Sequence, residues 1–131
     1  MSERKYELSL SFLVDLLTIN QLKEVMIPEK RSEVSTDISN LMADIEKMLP
    51  EGISADFVRD IIVLAQYNTH IWYNEKNIRE GIKEGNQLEL THGLNNIRNV
   101  AKNRIEDFIG GRKEHKKDNV KPFPEWVPSG Y

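Results

Sequence analysis

The chain has no cysteine. That excludes disulfides and thiolate catalysis, and it fits a reducing, cytoplasmic setting, which is the expected location. No apolar run approaches the roughly 18 residues of a membrane span. The N-terminal apolar stretch is broken by Glu7 and Asp15 and has no small-residue cleavage site after it, so no signal peptide is expected. Charge of one sign is missing too. Eighteen Lys and Arg are interspersed with 21 Asp and Glu for a net charge of −3, so there is no basic stripe and nucleic acid is not an expected partner. Glycine-rich phosphate loops and internal repeats are also absent.

What is present suffices for one domain. A length of 131 residues buries a sizeable core, and 39% hydrophobic with 30% charged residues describes a globular chain with a solvated surface. Apolar residues recur at three- and four-residue steps in four segments, which predicts an all-α, antiparallel up-down four-helix bundle over residues 1–110 and an irregular tail over residues 111–131. Residues 7–26 form the first helix, with Leu8, Phe12, Leu13, Leu16, Ile19 and Val25 as its stripe and Leu10, Leu17 and Leu22 widening it. A stripe that wide marks a central helix or one that also meets a second subunit.

Pro28 ends that helix or opens the next. Ser32, Ser35, Thr36 and Asp37 are N-cap candidates for the second helix, whose stripe is Val34, Ile38, Leu41, Met42, Ile45, Met48 and Leu49 and whose solvated face carries Asp37, Asn40, Asp44 and Lys47. Pro50-Glu51-Gly52 stops it, and Ser54 caps the third helix. The fourth is expected to open at Asn86, with Glu89 in capping-box spacing, and to bury Leu90, Leu94, Ile97, Ala101, Ile105 and Phe108 before Gly110-Gly111 ends it. In the tail, Phe123, Trp126 and Tyr131 are expected to dock on the bundle or on another subunit.

The third helix, expected over residues 57–82, carries the chemistry. One face reads Ile61, Leu64, Ala65, Asn68, Ile71, Trp72, Glu75, Ile78, Arg79 and Ile82, so an amide, a carboxylate and a guanidinium share a stripe with core residues. An unpaired buried polar group costs about 1–3 kcal/mol, so each needs a partner. A short turn centred near Gly85 would bring Glu75 within about one helical turn of Arg98. The expectation is a Glu75–Arg98 ion pair with Asn68, Asn95 and Arg79 beside it. The candidate site is therefore Asn68, Trp72, Glu75, Arg79, Asn95 and Arg98. It serves either as a register-fixing pair or as a pocket for an anionic small molecule, a phosphate or a carboxylate.

No metal or cofactor is expected. Glu89-Leu-Thr-His92 has the Glu-x-x-His spacing of di-iron bundles, which need two such motifs and two further glutamates. The Glu-x-x-Glu and Glu-x-x-Asp pairs of all-helical nucleotide pyrophosphatases do not occur, nor does the arginine-to-histidine spacing of HEPN-type ribonucleases.

The residues Trp72, Glu75 and Arg79, followed by Asn95 and Arg98, resemble the Trp-x-x-Glu-x-x-x-Arg and Asn-x-x-Arg helices of the DUF4254 family, small helical bacterial proteins without an assigned activity. The resemblance covers residues 57–109. Tyr73 and Lys76 stand where that family has a histidine and an aspartate. It implies a helical fold and the residue cluster, and no reaction. The leading expectation is thus a non-enzymatic bundle that self-associates or binds a protein partner. The alternative is an enzyme or sensor for an anionic ligand at Glu75, Arg79 and Arg98.

Overall fold

A computed structural model describes residues 9–81, 87–109 and 127–131, with the side chains of residues 87–89 excepted. It contains four helices: α1 (Leu10–Met26), α2 (Arg31–Glu46), α3 (Ala55–Arg79) and α4 (Gln87–Asp107). A 3-10 turn at Pro28–Lys30 joins the first two. The described residues include no strand.

Local chemistry sets the ends. Ser9 caps α1 by accepting from the Phe12 N–H, and Ser54 caps α3 by accepting from the Phe57 N–H, each at 3.2 Å. Pro28 sits in the first turn of the 3-10 segment, where its missing N–H costs nothing. The second helix therefore opens at Arg31, upstream of the serines and Asp37 expected to cap it. Past the end of α3, Gly81 takes φ +73°, a left-handed conformation that glycine adopts without strain. The capping pattern expected at Asn86, the helix stop at Gly110-Gly111, and Phe123 and Trp126 lie outside the described residues.

Side-chain bonds give the helix directions. Asp60 meets Arg104 and Asn74 meets Thr91, so α3 and α4 are antiparallel. Ser11 meets Glu106 and Asp15 meets Arg98, so α1 is antiparallel to α4 and parallel to α3. The Ser35 hydroxyl donates to Glu24 at 2.9 Å, tying α2 back along α1. The result is an up-down four-helix bundle in which α1 contacts all three other helices, whereas α2 packs chiefly on α1.

The core is built from Leu10, Leu13 and Val14 of α1, Ile45 of α2, Phe57, Val63, Leu64 and Tyr67 of α3, and Leu94, Ile97, Ala101 and Ile105 of α4. Each fully buried large residue contributes about 1.5–3 kcal/mol by leaving water. Several residues of the expected stripes turn out to be exposed. Phe12 is 40% accessible and Val25 62%, and Met42 and Leu49 also face solvent. The acidic and amide face of α2 (Asp37, Asn40, Asp44, Lys47) is exposed as expected.

The α3 stripe is rotated relative to the sequence expectation. Its buried residues are Phe57, Asp60, Val63, Leu64, Tyr67, Asn68 and Asn74, while Glu75, Ile78 and Arg79 face outward. Apolar residues occur on both flanks of this helix (Ile61, Ile62, Ala65, Trp72), so spacing alone does not choose between neighbouring faces.

Candidate functional site

Among the described residues, three buried carboxylates, each on a different helix, organise the interior. The first is Asp15, placed in the α1 seam between Val14 and Leu17, its side chain 6% exposed. It accepts from Arg98 Nε at 3.2 Å on one oxygen and from Arg98 Nη2 on the other, a two-point grip on the guanidinium edge. Asn68 Nδ2 donates to the same Asp15 at 2.8 Å and to Thr18 Oγ1 at 2.7 Å. The Thr18 hydroxyl in turn donates to the Asp15 main-chain carbonyl. The carboxylate thus has three N–H donors and its charge is matched. Such a pair adds little net stability, but it fixes which helices face one another, because a slip would strand a buried charge.

Arg98 does not pair with Glu75. The Asp60–Arg104 and Asn74–Thr91 contacts put Arg98 level with Gln66 and Tyr67, and Glu75 level with about Leu90. That register differs from the expected one by about five residues, or roughly 7 Å along the axis. The cause is the helix end: α3 stops at Arg79 with Gly81 turning the chain, well before Gly85. Glu75 and Arg79 are exposed. Trp72 is half-buried at the edge of Tyr73, with the Lys76 ammonium 5.7 Å from its ring centre. Asn95 is half-buried. Of the six candidate residues, the structure joins Asn68 and Arg98. The residues sequence reasoning missed there are Asp15 and Thr18. The signal was an acid in the middle of an apolar helix stripe.

The second carboxylate, Asp60, is 1% exposed. It accepts from Arg104 Nε at 2.9 Å and from the Tyr131 hydroxyl. Arg104 Nη1 also donates to the Gly130 carbonyl at 3.2 Å, and Arg59 donates to the Ser129 carbonyl at 2.7 Å and to its hydroxyl at 3.1 Å. The Tyr131 ring lies 4.4 Å from the Arg104 guanidinium carbon and 5.8 Å from that of Arg59, within cation–π range. Burial pushes the Tyr131 phenol well above its ordinary value, and its hydrogen bond to Asp60 and the charge of Asp60 push the same way against the two arginines.

Beside this clasp runs a half-open groove of about 420 Å³ along α3. It is lined by α3 residues from Arg59 to His70, with Val127 and Pro128 of the C-terminal segment. Burial also raises the Tyr67 phenol pKa.

No protein-family model, curated protein or solved structure matches the chain. The geometry alone therefore carries the functional reading.

The third carboxylate, Glu106, is 1% exposed and reaches across to the start of α1, where one oxygen accepts from the Ser11 N–H at 2.6 Å. An acid at a helix N-terminus is favoured by the peptide dipoles. Its other oxygen, Oε2, has no hydrogen-bond partner among the described residues. Among the described residues, no group of three or more His, Asp or Glu side chains is placed to hold a metal ion.

Proposed function

We propose that the chain is a non-enzymatic helical bundle that associates with a second copy of itself through the second half of α1. The observation that carries this reading is the uneven burial of that helix. Its fully buried residues all lie within residues 10–15. Over residues 16–26, Leu16, Leu17, Ile19, Leu22 and Met26 are only half-buried, and Val25 is 62% exposed. Leu17 packs against the core, and the other five, left partly or largely open along one helix end, exceed the scattered exposure usual for a surface, so that their burial is what an interface supplies. The Asp15–Arg98 network then serves register, holding α1, α3 and α4 in one alignment so that this surface keeps its shape.

The competing reading, an anionic ligand at Glu75, Arg79 and Arg98, has less support. Arg98 is already matched by Asp15, and Glu75 and Arg79 stand in solvent.

Sedimentation equilibrium of the full chain tests the proposal. A concentration-dependent rise above 15.2 kDa, abolished by Val25→Lys, is the expected result. A strict monomer at all accessible concentrations overturns it.

A further inference from the structure

The clasp around residues 127–131 is not used by that reading. Its recognition is detailed for so short a segment. Arg59 and Asp60 on α3 and Arg104 on α4 together hold two main-chain carbonyls, a serine hydroxyl and a phenol. Val127 and Tyr131 also pack against the hydrophobic core. The described side-chain bonds to it all come from α3 and α4. The segment is therefore recognised as a peptide is: main chain held by guanidinium forks, with one side chain seated in a specific pocket. The pocket favours being filled. Asp60 is 1% exposed, and without the phenol it would lose one of its two described donors.

Residues 110–126 join α4 to this segment. Seventeen residues span at most about 60 Å. The longest helix of the body, α3 with 25 residues, is about 37 Å long. The connection is thus long enough for the segment to reach the clasp of an adjacent copy as well as its own.

We propose that the Arg59–Asp60–Arg104 clasp is a receptor for a Pro-Ser-Gly-Tyr segment, filled by the chain's own residues 127–131 in the single molecule and by those of a second copy in the associated one. Reciprocal exchange closes a two-fold dimer, with each copy contributing Tyr131 to the other's site. The exchange rests on the self-association reading. The peptide recognition does not.

Two measurements on the full chain separate these. In the first, a fluorescently labelled peptide Val-Pro-Ser-Gly-Tyr is titrated onto the Tyr131→Ala chain. The peptide binds this chain at least about tenfold more tightly than the unaltered chain, whose clasp is occupied, and replacing its tyrosine with phenylalanine weakens binding about tenfold or more. No binding to the Tyr131→Ala chain overturns the receptor. In the second, the Tyr131→Ala chain, which keeps the clasp, is mixed with an Asp60→Asn chain, which keeps the segment. Native mass spectrometry is expected to show each variant alone dimerising more weakly than the unaltered chain, and the mixture forming the mixed dimer in preference. If both variants alone dimerise as the unaltered chain does, exchange is overturned while self-association stands. If the unaltered chain is itself a monomer, exchange and self-association fall together, and the peptide titration still decides the receptor. Should Asp60→Asn not fold, Arg59→Ala, which removes both bonds to Ser129, takes its place.

Discussion

Replacing Arg98 with alanine removes two of the three N–H donors on the Asp15 carboxylate and leaves Asn68 alone to face a side chain that is 6% exposed. Stranding one member of a buried pair costs about 3–5 kcal/mol. Arg98 itself is 23% exposed, so water reaches part of the site and the lower figure, about 3 kcal/mol, is expected. For a chain of this length that lowers the melting temperature by roughly 10 °C. Urea unfolding of Asp15→Ala, Arg98→Ala and the double variant forms a cycle whose coupling energy should be about 1–3 kcal/mol. Asp15→Leu with Arg98→Met, which fills the space with apolar atoms, should recover most of the loss. Glu75→Ala is the control. Its side chain is exposed and the change should stay within about 0.5 kcal/mol. A Glu75→Ala loss equal to that of Asp15→Ala, or a coupling near zero in the cycle, would refute the assignment of Arg98 to Asp15.

Other variants address the ends of the helices and the clasp. Gly81→Ala should cost about 1–2 kcal/mol in denaturant melts from the left-handed backbone at φ +73°, because an added Cβ meets none of the described residues within 4 Å. Ser54→Ala should cost about 1 kcal/mol by leaving the Phe57 N–H without its cap, and Ser54→Asp should restore it. The Tyr131 phenol is raised above its ordinary 10.0, so its neutral form is the one the fold favours. The stability it contributes is complete below pH 10, where both states keep the proton, and falls as pH rises through the raised value. Tyr131→Phe should flatten that decline, and absorbance at 295 nm should lose one late-ionising tyrosine in that variant.

The helices were legible because their signals are local. Ser54 capped α3 where a serine before an apolar-periodic run should, the Asp37–Lys47 face of α2 is solvated, and Leu94, Ile97, Ala101 and Ile105 form the α4 stripe. The partner of Arg98 was not legible, for two physical reasons. Asp15 is 83 residues away and on a helix that is not the hairpin neighbour of α4, so no spacing connects them. And the hairpin register depends on where α3 stops. Gly81 and Gly85 are both plausible stops, and choosing the second displaces every cross-helix pairing by roughly 7 Å. Asp60 was also missed. It lies three residues after Phe57 and four before Leu64, squarely on the buried side, but the apolar residues on both flanks of α3 masked which side that is. The seating of Tyr131 followed the expectation that tail aromatics dock, although its acid and its two arginines were invisible from spacing.

The attachment of α2 has a kinetic consequence. Its two buried side chains, Val34 and Ile45, sit eleven residues apart, and it leans chiefly on α1. The three charge-bearing interior contacts, at Asp15, Asp60 and Glu106, tie the remaining helices together without it. Detaching α2 therefore leaves that trio intact, and its amide protons should exchange with deuterium sooner than those of α3 and α4, through an excursion much cheaper than global unfolding. On that expectation the molecule is a three-rod frame from which the fourth rod detaches first.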